Sequence, residues 1–144
     1  MITTRFATAQ DEKAVLALAR DFATSFAVDQ AGFALAFSQV LSAPGMYLAI
    51  AESEQVVIGY VLGTAHPTFY ASGPVAWVEE IMVREDFRKK GVGRLLMESF
   101  ESWASSKGCR LIALATRRAA EFYKSIGYAE SATYFRKVMQ HPTK

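Results

Sequence analysis

Apolar residues at three- and four-residue steps predict two helices in the first third of the chain, at 11–27 and 30–42. The first begins near Asp11, a carboxylate that suits the positive end of a helix dipole. The second ends before Pro44 and Gly45. The apolar positions are Val15, Leu18, Ala19, Phe22 and Phe26 in the first helix and Phe33, Phe37, Val40 and Leu41 in the second. Each helix therefore has one apolar face to bury.

Runs rich in β-branched and aromatic residues predict strands before and after these helices. A short strand is expected at 2–7, and a hairpin is expected where the polar letters SEQ separate 46–52 from 56–66. A loop at 67–74, with a proline at each end, then leads to a strand at 75–83.

The rest of the chain alternates between helix and strand patterns. A third helix is predicted from Val92 to Gly108, since glycine can end a helix in a left-handed conformation. A buried strand at 109–115, a short helix and a last strand or hairpin at 128–139 follow. The order strand, helix, strand around residues 77–115 predicts a parallel crossover inside an otherwise antiparallel sheet.

Composition narrows the class of protein. The chain has 144 residues, 51% of them hydrophobic and 21% charged, which predicts one globular domain spanning 1–144. The N-terminus has no basic segment followed by an apolar run, and the uncharged stretch Val56 to Val78 is interrupted by glycines and prolines. We therefore expect a cytoplasmic protein without a membrane partner. A net charge of +2 does not by itself indicate a nucleic-acid partner.

Cysteine and histidine offer little for metal binding. Cys109 is the single cysteine, so neither an internal disulfide nor a cysteine metal cage can form within the chain. Strand residues flank it, and we expect it in the core and not as a nucleophile. His66 and His141 lack metal-ligand spacing. No metal is expected.

The letters RKKGVGRLL at 88–96 stand between a strand and a helix. Backbone N–H groups in the first turn of a helix lack intrahelical partners, and the helix dipole adds partial positive charge there. Gly91 and Gly93 have no Cβ, so an anion can approach these groups closely. Four cations raise the positive potential, namely Arg88, Lys89, Lys90 and Arg94. The stretch predicts a phosphate site.

Other interpretations of this stretch are weaker. A Walker P-loop is excluded because GxxxxGK[ST] is absent, and a dinucleotide motif is excluded because Leu96 replaces the third glycine of GxGxxG. An ordinary loop with solvated lysines is the simplest alternative. Nucleic-acid binding through 88–90 is another, and it would make DNA affinity strongly salt-dependent.

Two motifs resemble the GNAT superfamily of acyl-CoA-dependent N-acetyltransferases. The first is [Q/R]xxGxG/A after a strand that ends in valine, seen here with Val83 five residues before Arg88. The second is an aromatic pair on a late helix followed by glycine and an aromatic residue, FYKSIGY at 122–128. The resemblance in element order covers nearly the whole chain. It implies an α/β (α+β) fold with a mixed, mostly antiparallel sheet of six to seven strands, a central splayed parallel pair and four flanking helices.

The resemblance also implies acetyl-CoA as co-substrate. Backbone N–H groups from Lys89 to Leu95 would hold its pyrophosphate, and the backbone of Ile81 to Val83 would pair with its pantetheine arm. Thr116 stands where the family often has an asparagine. The cofactor-binding residues implied are Ile81, Met82, Val83, Arg88, Lys89, Lys90, Gly91, Val92, Gly93, Arg94, Thr116 and Tyr123.

An amine acceptor requires a base, because an alkylamine with a pKa near ~10 is almost wholly protonated at pH 7, a deficit of roughly 4 kcal/mol. Glu79 and Glu80 are the candidates, and only one should face the acceptor unless a bulge intervenes. By resemblance Glu79, four residues before the motif valine, is preferred and Glu80 is second. Tyr123 matches the family's usual general acid. Structural ion pairs for the glutamates and core packing for Tyr123 are the alternatives.

These features together predict direct transfer of an acetyl group to a primary amine of a small molecule. The acceptor pocket is expected between the two N-terminal helices, the loop 67–74 and the strand that holds Glu79. Acetylation of a protein lysine or N-terminus is one alternative, and a non-catalytic acyl-CoA-binding module is another. The oligomeric state stays open, with a homodimer among the options.

Overall fold

The computed structural model describes residues 1–23 and 26–139, and within them the chain forms five strands and four α-helices. Single 3₁₀ turns at Ala9–Asp11 and Glu85–Phe87 precede α1 and α3. The elements are β1 Ile2–Phe6, α1 Glu12–Phe22, α2 Gln30–Ser42, β2 Met46–Ser53, β3 Val56–Thr68, β4 Gly73–Val83, α3 Val92–Ser106, β5 Ile112–Leu114 and α4 Ala120–Ser125.

The sheet follows chain order from β1 to β5. The first four strands are antiparallel, and β5 joins β4 in parallel after the crossover through α3. The parallel pairing covers only Ala76 to Val78, opposite Ile112 to Leu114. From Glu79 onward β4 pairs with β3 alone among the described residues. The predicted α/β fold class and its splayed parallel pair are confirmed.

The predicted strand count of six to seven was wrong for the described residues. The segment 128–139 forms no strand, and the expected strand 109–115 is reduced to Ile112–Leu114. The residues YAESATYFRKVM include side chains typical of strands, but a strand also requires hydrogen bonds to a neighbouring strand, and residues 129–139 are exposed. The first helix ends at Phe22, and its predicted continuation to 27 crosses Thr24 and Ser25, which lie outside the described residues.

Two apolar cores cover opposite faces of the sheet. The core under α3 and α4 includes Ile58, Val61, Val78, Leu96, Met97 and Phe100. The core under α1 and α2 includes Val15, Leu18, Phe37, Leu48, Ile50 and Tyr60. Successive residues of β3 thus point to different cores, with Tyr60 on one face and Val61 on the other.

Asp11 is the N-cap residue of α1, so its carboxylate lies at the predicted end of the helix, and it also makes a contact that the sequence did not predict. It does not accept a hydrogen bond as the cap of α1, but pairs with the guanidinium of Arg5 through contacts of 2.9 and 3.0 Å. The hydrogen bonds from Arg5 hold the pKa of this buried carboxyl below its ordinary value. The pair ties β1 to the start of α1.

Helix α3 lies close to the sheet at Gly63. A Cβ built there would lie 2.6 Å from Cζ of Phe100 and 2.8 Å from the carbonyl oxygen of Trp77. Both neighbours are constrained, because Phe100 is fully buried and the carbonyl belongs to β4. Gly63 therefore allows α3 to contact the sheet through the ring of Phe100.

We expect Gly63→Ala to destabilise the fold by about 2 kcal/mol, as overpacked cores do. For a chain of this size that corresponds to a fall in Tm of ~6 °C, measurable by thermal unfolding. Gly73→Ala is the matched control, because its added Cβ would meet only the Arg110 side chain, at 3.4 Å. Equal Tm values for the two variants would show that Phe100 can move aside.

Candidate active site

A cleft of about 1300 Å³ lies between the α1–α2 pair, the adjoining strands β4 and β5, and α4. It lies where β4 and β5 separate, so backbone groups of β4 after Val78 have no β5 partner among the described residues. Glu79, Glu80 and Tyr123, which were predicted from separate parts of the sequence, all line this cleft. The structure therefore brings the three predicted catalytic residues to one place.

A β-bulge positions the two glutamates. Gly63 pairs with Val78 and Leu62 pairs with Glu80, so Glu79 is an extra residue in β4. The bulge reverses the alternation of the strand, because Val78 and Ile81 both pack toward the α3 core whereas Met82 packs toward the α1–α2 core. Both glutamates consequently line the cleft, which a regular strand would not allow.

The environments of the two carboxylates differ. Glu79 is exposed, whereas Glu80 is half-buried and accepts a hydrogen bond of 2.7 Å from the hydroxyl of Tyr60. Burial raises the pKa of Glu80 above its ordinary value of 4.5, against the opposing effect of the Tyr60 hydrogen bond. The arrangement holds one carboxylate in a fixed orientation with increased basicity.

Tyr60 was not among the residues selected from the sequence. Its ring is buried in the α1–α2 core, and burial followed by the charge of Glu80 raises the pKa of its hydroxyl, so it donates to the carboxylate. Strand alternation places Tyr60 on that face of β3. Finding its partner requires the register between β3 and β4, which the bulge changes by one residue.

Tyr123 lies on α4, in the first turns after Ala119. It is buried against the α3 core, with edge-on ring contacts to Phe122 and Tyr128 at centroid distances of 5.0 and 5.9 Å. Burial raises the pKa of its hydroxyl, so the group keeps its proton at neutral pH. It is therefore able to donate a proton into the cleft.

The entrance of α3 has the features of an anion site. Gly91 is the N-cap residue in a left-handed conformation with φ of 83°, and no side chain caps the helix. The bond from Leu95 N–H to the Gly91 carbonyl, at 3.1 Å, begins the helical pattern, so the N–H groups of residues 92–94 precede it without intrahelical acceptors. A Cβ on Gly91 would meet nothing within 4 Å, which leaves the approach to these groups open.

The four predicted cations surround this entrance and are all exposed. The Arg88 Nε donates to the Val83 carbonyl at 3.0 Å, which connects the end of β4 to the loop. The Lys90 ammonium lies 5.2 Å from the centroid of the Phe87 ring, and Arg94 is 3.9 Å from a carboxylate oxygen of Glu98. Val92 is buried in the α3 core and anchors the first turn.

The remaining predicted residues lie on the same two elements or close to the cleft. Ile81 to Val83 pair with β3 and have no partner on the β5 side in the described part of the chain. Thr116 lines the cleft, and its hydroxyl oxygen accepts a hydrogen bond of 3.0 Å from Ala119 N–H, so its O–H can still donate. Cys109 packs beside the α3 core, where burial raises its thiol pKa.

Two further findings concern the described residues only. They contain no group of three or more histidine, cysteine, aspartate or glutamate side chains that could hold a metal ion, and His141 is outside them. None of their helices has the length and apolar character needed to cross a membrane. The predicted loop at 67–74 is shorter than expected, because Pro67 and Pro74 face each other at the end of the β3–β4 hairpin.

Comparison with known proteins places the chain in a family. Residues 13–128 match the acetyltransferase (GNAT) family. An aminoglycoside N(6')-acetyltransferase type 1 of Salmonella typhimurium is 27% identical over 108 residues, which are 69% of this chain and 74% of that protein.

Solved structures agree on the fold. A protein of Bacillus halodurans described as a transcriptional regulator superposes with a TM-score of 0.89 at 21% identity, covering 96% of this chain and 100% of its own. The structure of AAC(6')-Iy with a bisubstrate analogue, CoA-S-monomethyl-acetylneamine, has a TM-score of 0.82 at 22% identity, with 96% and 99% of the two chains covered. This chain is thus an acyltransferase that belongs to the acetyltransferase (GNAT) family.

Proposed function

We propose that this protein transfers an acetyl group from acetyl-CoA directly to a primary amine of a small molecule. The observation that carries the proposal is the bulge at Glu79, which lets two carboxylates of β4 line one cleft, on the strand that ends just before the uncapped entrance of α3. The proposed acid–base groups and the candidate anion site thus lie toward the same end of β4. The aminoglycoside acetyltransferases similar to this chain support an amine acceptor.

The residues present fit coenzyme A as a substrate. Its pyrophosphate requires N–H donors and positive charge, and the first turn of α3 offers uncapped N–H groups beside Arg88, Lys89 and Lys90. Gly91 leaves their approach open. Ile81 to Val83 have no strand partner on the side away from β3 among the described residues, where Arg88 Nε donates to the Val83 carbonyl, and this edge can accept an extended amide arm in the way that a sheet edge accepts a strand. Acetyl-CoA supplies the acetyl group as a thioester.

Glu80 is the base that we propose. The acceptor enters as an ammonium ion, and Glu80 removes a proton so that the nitrogen lone pair can form the new C–N bond. The C–S bond of the thioester breaks as Tyr123 donates its proton to the departing sulfur. The second proton of the acceptor nitrogen leaves through solvent and restores the Tyr123 hydroxyl, and Glu80 releases the first proton to solvent. Tyr60 positions Glu80. Glu79, preferred from the sequence, stays a candidate base, and its exposed carboxylate can also attract the ammonium ion.

The direct test is release of the coenzyme A thiol from acetyl-CoA with small primary amines and with a lysine-containing peptide. Release with a small amine, and an acetylated amine found by mass spectrometry, is the expected result. Release with the peptide alone would indicate a protein acetyltransferase. Coenzyme A binding by calorimetry, with no thiol released by any acceptor, would indicate the binding module and contradict the proposal.

We expect Lys90→Glu to weaken coenzyme A binding about tenfold. Reversing one exposed charge near a pyrophosphate changes the interaction energy by ~1–2 kcal/mol, less at high salt. Isothermal calorimetry at two salt concentrations measures the effect. Lys13→Glu is the control with the same charge change, because Lys13 is exposed on α1, outside the entrance. Equal losses in both variants would indicate a general charge effect and no local site.

A further inference from the structure

The cleft divides into two halves of different chemistry. In the half formed by residues before 81, the charged side chains among the described lining residues are Glu79 and Glu80. Every lysine or arginine that lines the cleft, namely Arg117, Lys124 and Arg136, belongs to the half formed after residue 110. The acceptor side thus carries two carboxylates and no cation among its described lining residues, while the side of α4 carries three cations and one carboxylate, Glu130, which lies 3.3 Å from the Lys124 ammonium.

The walls of the acceptor half are mostly apolar, and the uncharged polar side-chain groups among its described lining residues are the hydroxyls of Tyr60 and Tyr70 and the indole N–H of Trp77. Aromatic rings line it from α1, from the segment that follows α1, from α2 and from β4, namely Phe22, Phe26, Phe33, Phe37 and Trp77. Phe22 and Phe26 have apolar rings, yet 38% and 44% of their surfaces remain exposed to solvent. Isolated exposed rings are ordinary, but two that line one concave surface form a patch that a ligand can cover.

We propose that the acceptor is a monoamine whose ammonium group is attached to an apolar, preferably aromatic, body. This inference rests on the proposed acetyl transfer to an amine. The ammonium ion lies against the Glu79 and Glu80 carboxylates, and the apolar body packs against Phe22, Phe26 and Phe33. The two carboxylates attract one cation, and the rings bind an apolar group whose transfer out of water is favourable.

The same surface disfavours a polyhydroxylated polycation. Such a molecule needs hydrogen-bond partners for its hydroxyl groups, and an apolar wall that removes water without replacing those bonds costs binding energy. Additional ammonium groups would need carboxylates other than Glu79 and Glu80, and the described acceptor half has none. The acceptor therefore differs from the aminoglycosides named for the relative in Salmonella.

The test compares amines at saturating acetyl-CoA, with thiol release as the readout. 2-Phenylethylamine and ethanolamine form a matched pair, each with one primary amine on a two-carbon chain, and kanamycin is the polycationic probe. We expect kcat/KM for 2-phenylethylamine to exceed that for ethanolamine by at least about tenfold, from burial of the ring. Kanamycin should give the lowest kcat/KM of the three amines when its value is divided by the number of amine groups that it carries.

Two results would overturn the inference in distinguishable ways. A higher kcat/KM with kanamycin or ethanolamine than with 2-phenylethylamine would reject the apolar acceptor and retain the acetyltransferase. Thiol release with no amine and no lysine peptide, in a protein that binds coenzyme A, would reject the proposed function together with the acceptor class.

A pair of variants tests the wall directly. Phe26→Ala should raise KM for 2-phenylethylamine about tenfold and leave KM for ethanolamine and for acetyl-CoA unchanged, because only the apolar contact is removed. Phe69→Ala is the control, since Phe69 is fully exposed on the β3–β4 turn and does not line the cleft. Because Phe26 is partly exposed, its truncation should not unfold the protein and raise KM in that way. A thermal melt of the variant can verify this. An unchanged KM in Phe26→Ala would overturn the assignment of the wall.

Discussion

Glu80→Gln is expected to lower kcat at neutral pH by ~100-fold or more while leaving KM for acetyl-CoA close to that of the native protein. Glutamine retains the shape and can accept the Tyr60 hydrogen bond, but it cannot take a proton from the ammonium ion. A positioned base contributes on the order of 10²- to 10⁴-fold to such a step. Steady-state kinetics with the best small amine measures the loss.

The pH profile provides a second readout for the same residue. Burial raises the pKa of Glu80 above 4.5, and the base works only when deprotonated, so kcat/KM should fall as pH decreases through that raised pKa. The Tyr60 hydrogen bond acts in the opposite direction and lowers the pKa. Tyr60→Phe should therefore move this acidic limb to higher pH. A change in packing alone would not move it.

Glu79→Gln is the matched control, because it makes the same change one residue away on the same strand. We expect it to raise KM for the amine, through weaker attraction of the ammonium ion, with a smaller effect on kcat. If Glu79→Gln abolished turnover and Glu80→Gln did not, the roles of the two carboxylates would be reversed.

Tyr123→Phe should lower kcat by ~10- to 100-fold with little change in the affinity for coenzyme A. The ring stays packed between Phe122 and Tyr128, so the substitution removes only the proton donor for the departing sulfur. Stability should change little, since the rings dominate the contact. Stopped-flow thiol release and calorimetry with coenzyme A separate the two quantities.

The control for the tyrosine is Tyr47→Phe. Its hydroxyl donates to Ser99 at 3.1 Å within the α3 core, and it does not line the cleft, so turnover should be unaffected. Native turnover in Tyr123→Phe would assign Tyr123 to packing, in agreement with its burial, and would leave the acid to be sought elsewhere.

Local patterns predicted those parts of the fold that depend on neighbouring residues. The bounds of α2, 30–42, were predicted without error, because the apolar face, Pro44 and Gly45 all act within a few residues. The start of α3 at Val92 followed from apolar residues that recur at three- and four-residue steps, and Gly108 ends the helix with a positive φ of 76°. The parallel crossover followed from the order of elements.

The parts that sequence reasoning missed depend on contacts between distant residues. The bulge in β4 depends on register with β3, and no local pattern marks Glu79 as an extra residue. The Tyr60–Glu80 hydrogen bond joins residues 20 positions apart. The prediction of a strand at 128–139 was wrong for a related reason. Its side chains favour a strand, but they do not identify the strand with which it would pair.

The bulge makes the geometry of this site depend on how many residues β4 contains. Deleting Glu79 would restore an unbroken ladder between β3 and β4 with the other pairs in place, because Val78 would still face Gly63 and Glu80 would still face Leu62. Glu80 would keep Tyr60 and Ile81 would keep the α3 core, so this deletion would remove one carboxylate and spare the packing. Deleting Ile81 would instead shift the register by one residue and exchange faces for the residues beside it. Deletions should therefore be tolerated far less between residues 80 and 83 than at Glu79 or in the β3–β4 turn.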